Sequence, residues 1–192
     1  MAQNNSSTRR DVVTRVRRQH DTIRSLFDSV EGAAPAKRAE AFQPLVRLLA
    51  VHETAEEMVV YPALLLAGSD ARAVVRARKQ EEDRAKKALA ELEGLEAGTL
   101  EFLTRFRSFR EQVEAHAAAE EDAVLPLLDD HRSAAELRLM DLWFTTAEAI
   151  APTHAHRFAP ESATGNLLVG PAVAMVDRMR DMLAATAART RR

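Results

Sequence analysis

Residues 51–62, VHETAEEMVVYP, and residues 115–126, AHAAAEEDAVLP, are copies of one another. The His, an Ala, a Glu-Glu pair, a Val and the final Pro coincide. In each copy a His stands four residues before a Glu, as His52 with Glu56 and His116 with Glu120. Positions four apart lie one above the other on a helix face. Each copy therefore aims an imidazole and a carboxylate at one point. Two such helices facing each other supply two nitrogens and two carboxylates, a donor set that suits iron or another first-row metal. A lone His-x-x-x-Glu carries almost no information in a chain this rich in Glu. The shared flanks, through a Pro ten residues after each His, separate this pair from two surface faces of similar composition.

The apolar spacing turns both motifs inward. Phe102, Phe106, Phe109 and Val113 run into His116 and Glu120 at helical steps, and Leu127 ends the stripe. Leu45 and Leu49 lead into His52, with Val59 and Val60 beyond it. A core that gathers three or more such groups is costly to desolvate without an ion.

The duplication extends upstream. Residues 19–32, QHDTIRSLFDSVEG, align with residues 81–94, EEDRAKKALAELEG, so that His20 meets Glu82. His20 shares a stripe with Val13, Val16, Ile23 and Phe27, and so points inward too. Each half of the repeat is then a helix with one polar core residue, followed by a helix with His-x-x-x-Glu.

Breakers and caps divide the chain into helices. The spacing predicts a first helix over about 8–31, capped by Ser7 or Thr8, and a second over about 36–66. Pro44 and Pro62 fall inside the second, so a kink or a late start near Pro44 is expected. Gly68 to Asp70 is a stop followed by a cap. A third helix over about 70–95 and a fourth from Gly98-Thr99 to about Leu128 follow. Their short connections predict an all-α, up-down-up-down four-helix bundle over residues 9–130. Residues 1–8 are expected to be disordered. Residues 131–192 are expected as a C-terminal helical extension, with helices over about 133–150 and 171–188 and a loop at about 151–168. The last helix carries Val173, Val176, Met179 and Leu183 on one face, for covering the bundle or forming a homodimer.

Composition narrows the function. The chain has 192 residues, 46% hydrophobic, enough for one domain with a core. It has no Cys, which excludes disulfides and thiolate metal sites. No apolar run approaches the roughly 18 residues of a membrane span. The first residues lack an apolar signal region, so a cytoplasmic location is expected. The net charge is −2, and the short Arg clusters near both ends read as solvated helix ends rather than a nucleic-acid footprint.

His20-Asp21, His52 to Glu56 with Tyr61-Pro62, and His116 to Glu120 with Pro126 together resemble the hemerythrin-like, or HHE cation-binding, domain. The resemblance covers about residues 10–130. It implies a four-helix bundle holding two non-heme iron ions, oxo- or hydroxo-bridged. Carried over by position, it makes His20, His52 and His116 metal ligands and Glu56 and Glu120 the bridges. The Glu-x-x-His of ferritin-like bundles is absent.

One position departs from the family. No His lies between His52 and His116, where the family places a ligand on the third helix. The repeat puts Glu82 there, with Glu81 as the fallback, or a surface Glu and a lost ligand. A carboxylate is a harder, negative donor that favours oxidised iron. The resemblance implies O2, reactive-oxygen or peroxide chemistry on O2, peroxide or another small molecule, and this change moves the expectation toward redox turnover, oxidase-, peroxidase- or catalase-like. The alternative is a non-enzymatic protein that binds, stores or senses O2 or iron. A bundle that has lost its metal and works through partners is a third. Tyr61, five positions after Glu56 and a little off the stripe, is either a redox-active neighbour or phenolate ligand, or a core aromatic. His131 reads as a solvated turn residue, and His154 and His156 as a loose pair in a surface loop.

Overall fold

The computed structural model describes residues 10–66 and 69–151. Asp11 starts α1 (Val12–Gly32), its carboxylate accepting the Thr14 N–H at 3.0 Å. The helix begins a turn later than the spacing predicts. Ser7 and Thr8, the expected caps, lie outside the described residues, as does the expected disordered segment. α2 (Pro35–Ala55) opens on Pro35, whose missing N–H costs nothing in a first turn. It then runs through Pro44, so of the kink or late start expected there the late start does not occur. The helix continues through a π-turn over Glu56–Val60 into α3 (Tyr61–Leu65).

α4 (Ser69–Glu93) returns along the bundle. The expected stop at Gly68 lies outside the described residues. Thr99 caps α5 (Leu100–Ala119), its hydroxyl accepting the Phe102 N–H at 3.2 Å. α5 passes through a second π-turn, Glu120–Val124, into α6 (Leu125–His131). α7 (Ala134–Ile150) opens on a capping box between Ser133 and Glu136. The described residues thus form five helical rods. The first four make the bundle, and α7 packs across α1 and α2. The loop beyond Ala151, the helix expected over about 171–188 with its apolar face, and the His154–His156 pair lie outside the described residues.

Two π-turns interrupt the α-helical pattern of the described residues, and sequence spacing did not reveal them. Tyr61 N–H bonds to the Glu56 carbonyl, and Leu125 N–H to the Glu120 carbonyl, five residues back in each case. Pro62 and Pro126 follow at once and have no N–H with which to extend either pattern. A hydrogen bond lengthened to five residues returns position i+5 to the face that i+4 would hold. Tyr61 therefore falls in line with Glu56 instead of beside it.

Two apolar clusters fill the bundle. One joins Val12, Val16, Val59, Tyr61, Leu64, Leu128, Met140 and Phe144, so α7 shares a core with α1. The other joins Ile23, Phe27, Phe42, Leu49, Leu89 and the α5 phenylalanines. Phe106 anchors the second, its ring 5.2 Å from that of Phe27, 5.5 Å from Phe102 and 5.8 Å from Phe42. Between the clusters lies a layer of buried His and Glu side chains.

Phe106 is 0% exposed. Truncation to Ala removes ring contacts with three neighbours and leaves a cavity. Phe106→Ala should therefore lower unfolding free energy by about 3–5 kcal/mol. Urea melts of the metal-free protein measure this, and a loss under about 1 kcal/mol would show that the cluster is not the anchor described.

Candidate metal centre

Four helices each contribute to the polar layer. His20 from α1 and Glu82 from α4 are each 1% exposed, His52 from α2 is 3% exposed, and Glu56 and Glu120, the first residues of the two π-turns, are each 0% exposed. His116, on α5, is also largely covered, with 12% of its side chain exposed. His20 Nε2 lies 3.3 Å from Glu120 Oε2, and His52 Nε2 lies 3.4 Å from Glu56 Oε2. His116 Nε2 lies 3.5 Å from Glu120 Oε1 and 4.0 Å from Glu82 Oε1.

These six side chains form two overlapping donor groups. One is His20, His52, Glu56 and Glu120; the other is Glu56, Glu82, His116 and Glu120. Within each group, one donor atom per residue lies within 4.8 Å of all the others. Glu56 and Glu120 belong to both, the placement that two bridging carboxylates would have.

The Nδ1 atoms of the imidazoles are turned outward to hydrogen-bonding groups. His20 Nδ1 is 2.9 Å from Glu121 Oε1, His52 Nδ1 is 2.7 Å from Gln19 Oε1, and His116 Nδ1 is 3.0 Å from Glu81 Oε2. An acceptor on Nδ1 fixes the proton there and leaves Nε2 as a lone pair facing inward. Glu81, the fallback ligand of the sequence reading, thus stands behind His116, and Glu82 faces the layer.

The inward atoms lack partners. His20 Nε2, His116 Nε2, both Glu56 oxygens, Glu82 Oε2 and Glu120 Oε2 are buried without a hydrogen bond. Lone pairs of three imidazoles and three carboxylates converge, and among the described residues one hydroxyl reaches them. That donor is Tyr61, whose hydroxyl meets Glu82 Oε1 and, at 2.8 Å, Glu120 Oε1. Such an arrangement is repulsive unless protons or a cation stand among the donors. The residues fit a pair of metal ions.

The profile of the Hemerythrin HHE cation binding domain matches residues 11–141. The chain belongs to this family. An uncharacterized hemerythrin-like protein of Schizosaccharomyces pombe is 26% identical over 168 residues, covering 86% of this chain and 83% of the relative. The fold is similar to the crystal structure of a hemerythrin HHE cation binding domain-containing protein from Mycobacterium kansasii, the Rv2633c homolog. That similarity has a TM-score of 0.64 at 22% identity, over 72% of this chain and 85% of that one.

In this HHE domain the outer residues follow the repeat as closely as the inner ones. Gln19 and Glu81 occupy matching positions, and each takes the Nδ1 side of the His on the next helix. Glu121 and Glu57 also match, as do Arg24 and Lys86. Arg24 Nη2 bonds Glu121 Oε1 at 2.9 Å, and Lys86 Nζ bonds Glu57 Oε1 at 2.5 Å. Lys86 also comes within 3.8 Å of Glu53 Oε2 and 3.9 Å of Glu82 Oε2. Gln19, Glu121 and Lys86 were not singled out from the sequence. The signal was there, since Gln19 and Glu81 immediately precede the matched pair His20 and Glu82. His131 closes α6 and is exposed, as a solvated residue should be.

A small cavity lies on the histidine side of the layer, lined by His20, His52, His116, Glu53 and the apolar Ile23, Leu49 and Val113 among others. Its volume is about 20 Å³ for the centre of a water-sized molecule. That is room for one or two heavy atoms and no more. Tyr61 does not line it. It packs in the other apolar cluster, beyond the carboxylates.

Burial strains the charges of the metal-free layer. It pushes Glu53 up to about 8 against the pull of Lys86, and Glu82 up to about 9 against the Tyr61 hydroxyl. Glu56 is raised by burial and by the charges of Glu120 and Glu82. Burial also raises Glu120, but the surrounding imidazoles outweigh it and hold that carboxylate down. Tyr61 is raised by burial and by Glu56, Glu120 and Glu82, so it stays a donor.

These shifts set a sign for stability. Folded-state values of about 8 for Glu53 and about 9 for Glu82 exceed their unfolded value of 4.5. Their contribution is fully present below 4.5 and is lost as pH rises through 8 and 9. His52, lowered by burial and by His20 to about 3, acts in the opposite direction, but only below its ordinary 6.5. The metal-free protein should therefore lose stability between about pH 7 and 9, and bound metal should remove the Glu82 part of that loss by taking the ionised carboxylate as a ligand. Thermal melts with and without metal at both pH values decide this; a pH-independent metal-free protein would contradict it.

Proposed function

We propose that the chain holds two irons between His20, His52, Glu56, Glu82, His116 and Glu120, and that it turns over dioxygen or peroxide. The observation that supports this best is the pair of donor groups sharing Glu56 and Glu120, in which six buried imidazole and carboxylate atoms have no hydrogen-bond partner. Imidazole and carboxylate in equal number suit iron among the first-row metals. Two irons supply two one-electron couples, enough for a two-electron reduction of a small oxidant.

The residues around that pair do the positioning. His20, His52 and Glu56 with Glu120 serve one ion; Glu82, His116 and the same two carboxylates serve the other. The small cavity beside the three imidazoles has the size for a small molecule of one or two heavy atoms next to the metal ligands. Ile23, Leu49 and Val113 keep that space dry on one side. Tyr61 acts at a distance from the cavity, holding its proton at Glu82 and Glu120 and withdrawing charge from both. Glu82 in place of an imidazole adds a negative charge to the set, which favours the oxidised pair over a ferrous pair that binds and releases O2.

Metal analysis tests the first half. The protein expressed with iron should carry about two irons per chain, and Glu120→Ala should remove the spectroscopic coupling between them. A content below one iron per chain, or a coupled spectrum that survives the substitution, would sink the shared-bridge reading.

The second half is tested at Glu82. Glu82→His should keep the iron, lower peroxide turnover and give a reduced pair that binds O2 reversibly. Glu82→Ala should weaken one of the two iron sites. If neither variant differs from the parent in iron content, spectrum or turnover, Glu82 is not a ligand.

A further inference from the structure

The three imidazoles owe their orientation to unlike partners. Glu121 and Glu81, behind His20 and His116, are carboxylates and can only accept a hydrogen bond. Gln19, behind His52, is an amide with a donor end and an acceptor end. An amide alone does not dictate which nitrogen of His52 carries the proton. Glu56 Oε2, 3.4 Å from His52 Nε2, would draw that proton inward and spoil the lone pair a metal needs.

α7 resolves the ambiguity. The Gln19 amide nitrogen donates to Glu148 Oε1. The other oxygen of Glu148 is held by Arg15 Nη1 at 3.3 Å. Because a carboxylate only accepts, the amide must turn its NH2 toward Glu148 and its oxygen toward His52. That oxygen, 2.7 Å from His52 Nδ1, can then only accept, so the His52 proton sits on Nδ1 and Nε2 faces inward unprotonated.

We infer that Glu148, on the helix outside the four-helix bundle, is a positioning residue for His52, acting through the Gln19 amide. Its consequence for metal affinity rests on the proposed metal site; its consequence for the His52 proton does not. The repeat contains its own control. Glu81, the mate of Gln19, does the same job for His116 as a carboxylate and needs no helper.

The full-length, metal-free chain labelled with 15N-histidine provides the test, since long-range 1H–15N spectra read the tautomer of each imidazole. The parent should show His52 protonated on Nδ1. Glu148→Gln frees the amide to turn, and His52 should move its proton to Nε2 while His116 stays unchanged. Titration with iron(II) should show affinity at one of the two sites falling about 10–100-fold, the range for lost outer partners. Adding Gln19→Glu to Glu148→Gln copies the Glu81 arrangement and should restore both tautomer and affinity. Asp141→Asn removes the other α7 partner of Arg15, at 2.5 Å, without touching Gln19, and should change neither. An unshifted His52 in Glu148→Gln, a failed rescue, or an equal effect of Asp141→Asn would overturn the inference. A shifted tautomer in a protein that binds no iron would uphold the relay and overturn the metal reading instead.

Discussion

Everything in this bundle is arranged around three carboxylates that have been taken out of water. Glu56, Glu82 and Glu120 sit in one layer between two apolar clusters, each almost wholly covered. Removing even one carboxylate from solvent costs several kcal/mol, about as much as a whole domain has in net stability. The three imidazoles cannot offset this by donating, because their Nδ1 protons are committed to Gln19, Glu81 and Glu121. A cation placed among the donors converts the same lone pairs from a repulsive set into ligands. The layer is therefore a poor core and a good chelate, and the apolar clusters on both sides hold it together in either state.

The fold reaches this arrangement by using one design twice. Each half supplies a helix with one inward polar residue and a helix with His-x-x-x-Glu followed by a π-turn. The halves also exchange support. His20 of the first half is held by Glu121 of the second, and Lys86 of the second half bonds Glu57 of the first. A two-fold arrangement of this kind places both shared carboxylates, Glu56 and Glu120, at the centre without further specification.

Much of this was legible in the residues. Periodicity alone turned His20, His52 and His116 inward, and the duplication singled out Glu82 over Glu81 as the mate of His20. The helix order was equally legible, because Thr99 and Ser133 mark helix starts by their chemistry. Three things were not. The first cap is Asp11, and Pro44 fits inside α2, because α2 is long enough to be carried past one missing hydrogen bond by its packing against α1. The π-turns escaped because a five-residue hydrogen bond leaves no mark in apolar spacing; the shared Glu-Glu and the following Pro were the only trace. The outer partners Gln19, Glu121 and Glu148 escaped because they are half-exposed polar residues, and what distinguishes them is where their helices cross, which no single-helix pattern records.

The break in the duplication at Glu82 is matched by a second break elsewhere. By the repeat, Tyr61 corresponds to Leu125 and Glu82 to His20. An imidazole at the His20 position has one nitrogen bound outward and one facing inward, so a neighbour there needs no hydroxyl, and Leu125 is a plain core residue, 0% exposed. A carboxylate at the Glu82 position has two oxygens to satisfy in a dry layer, and the hydroxyl of Tyr61 meets one of them. Lys86 cannot do this work alone, since its ammonium is 3.9 Å from Glu82 and its side chain is 40% exposed. The five-residue step of the π-turn is what brings Tyr61 over Glu56 and into reach. Glu82, Tyr61 and the turn between Glu56 and Val60 thus form one unit, and it makes one half of an otherwise symmetric centre more acidic than the other. Burial, and a tyrosine hydroxyl shared with Glu120, set Glu82 apart from a solvated Glu on a helix surface.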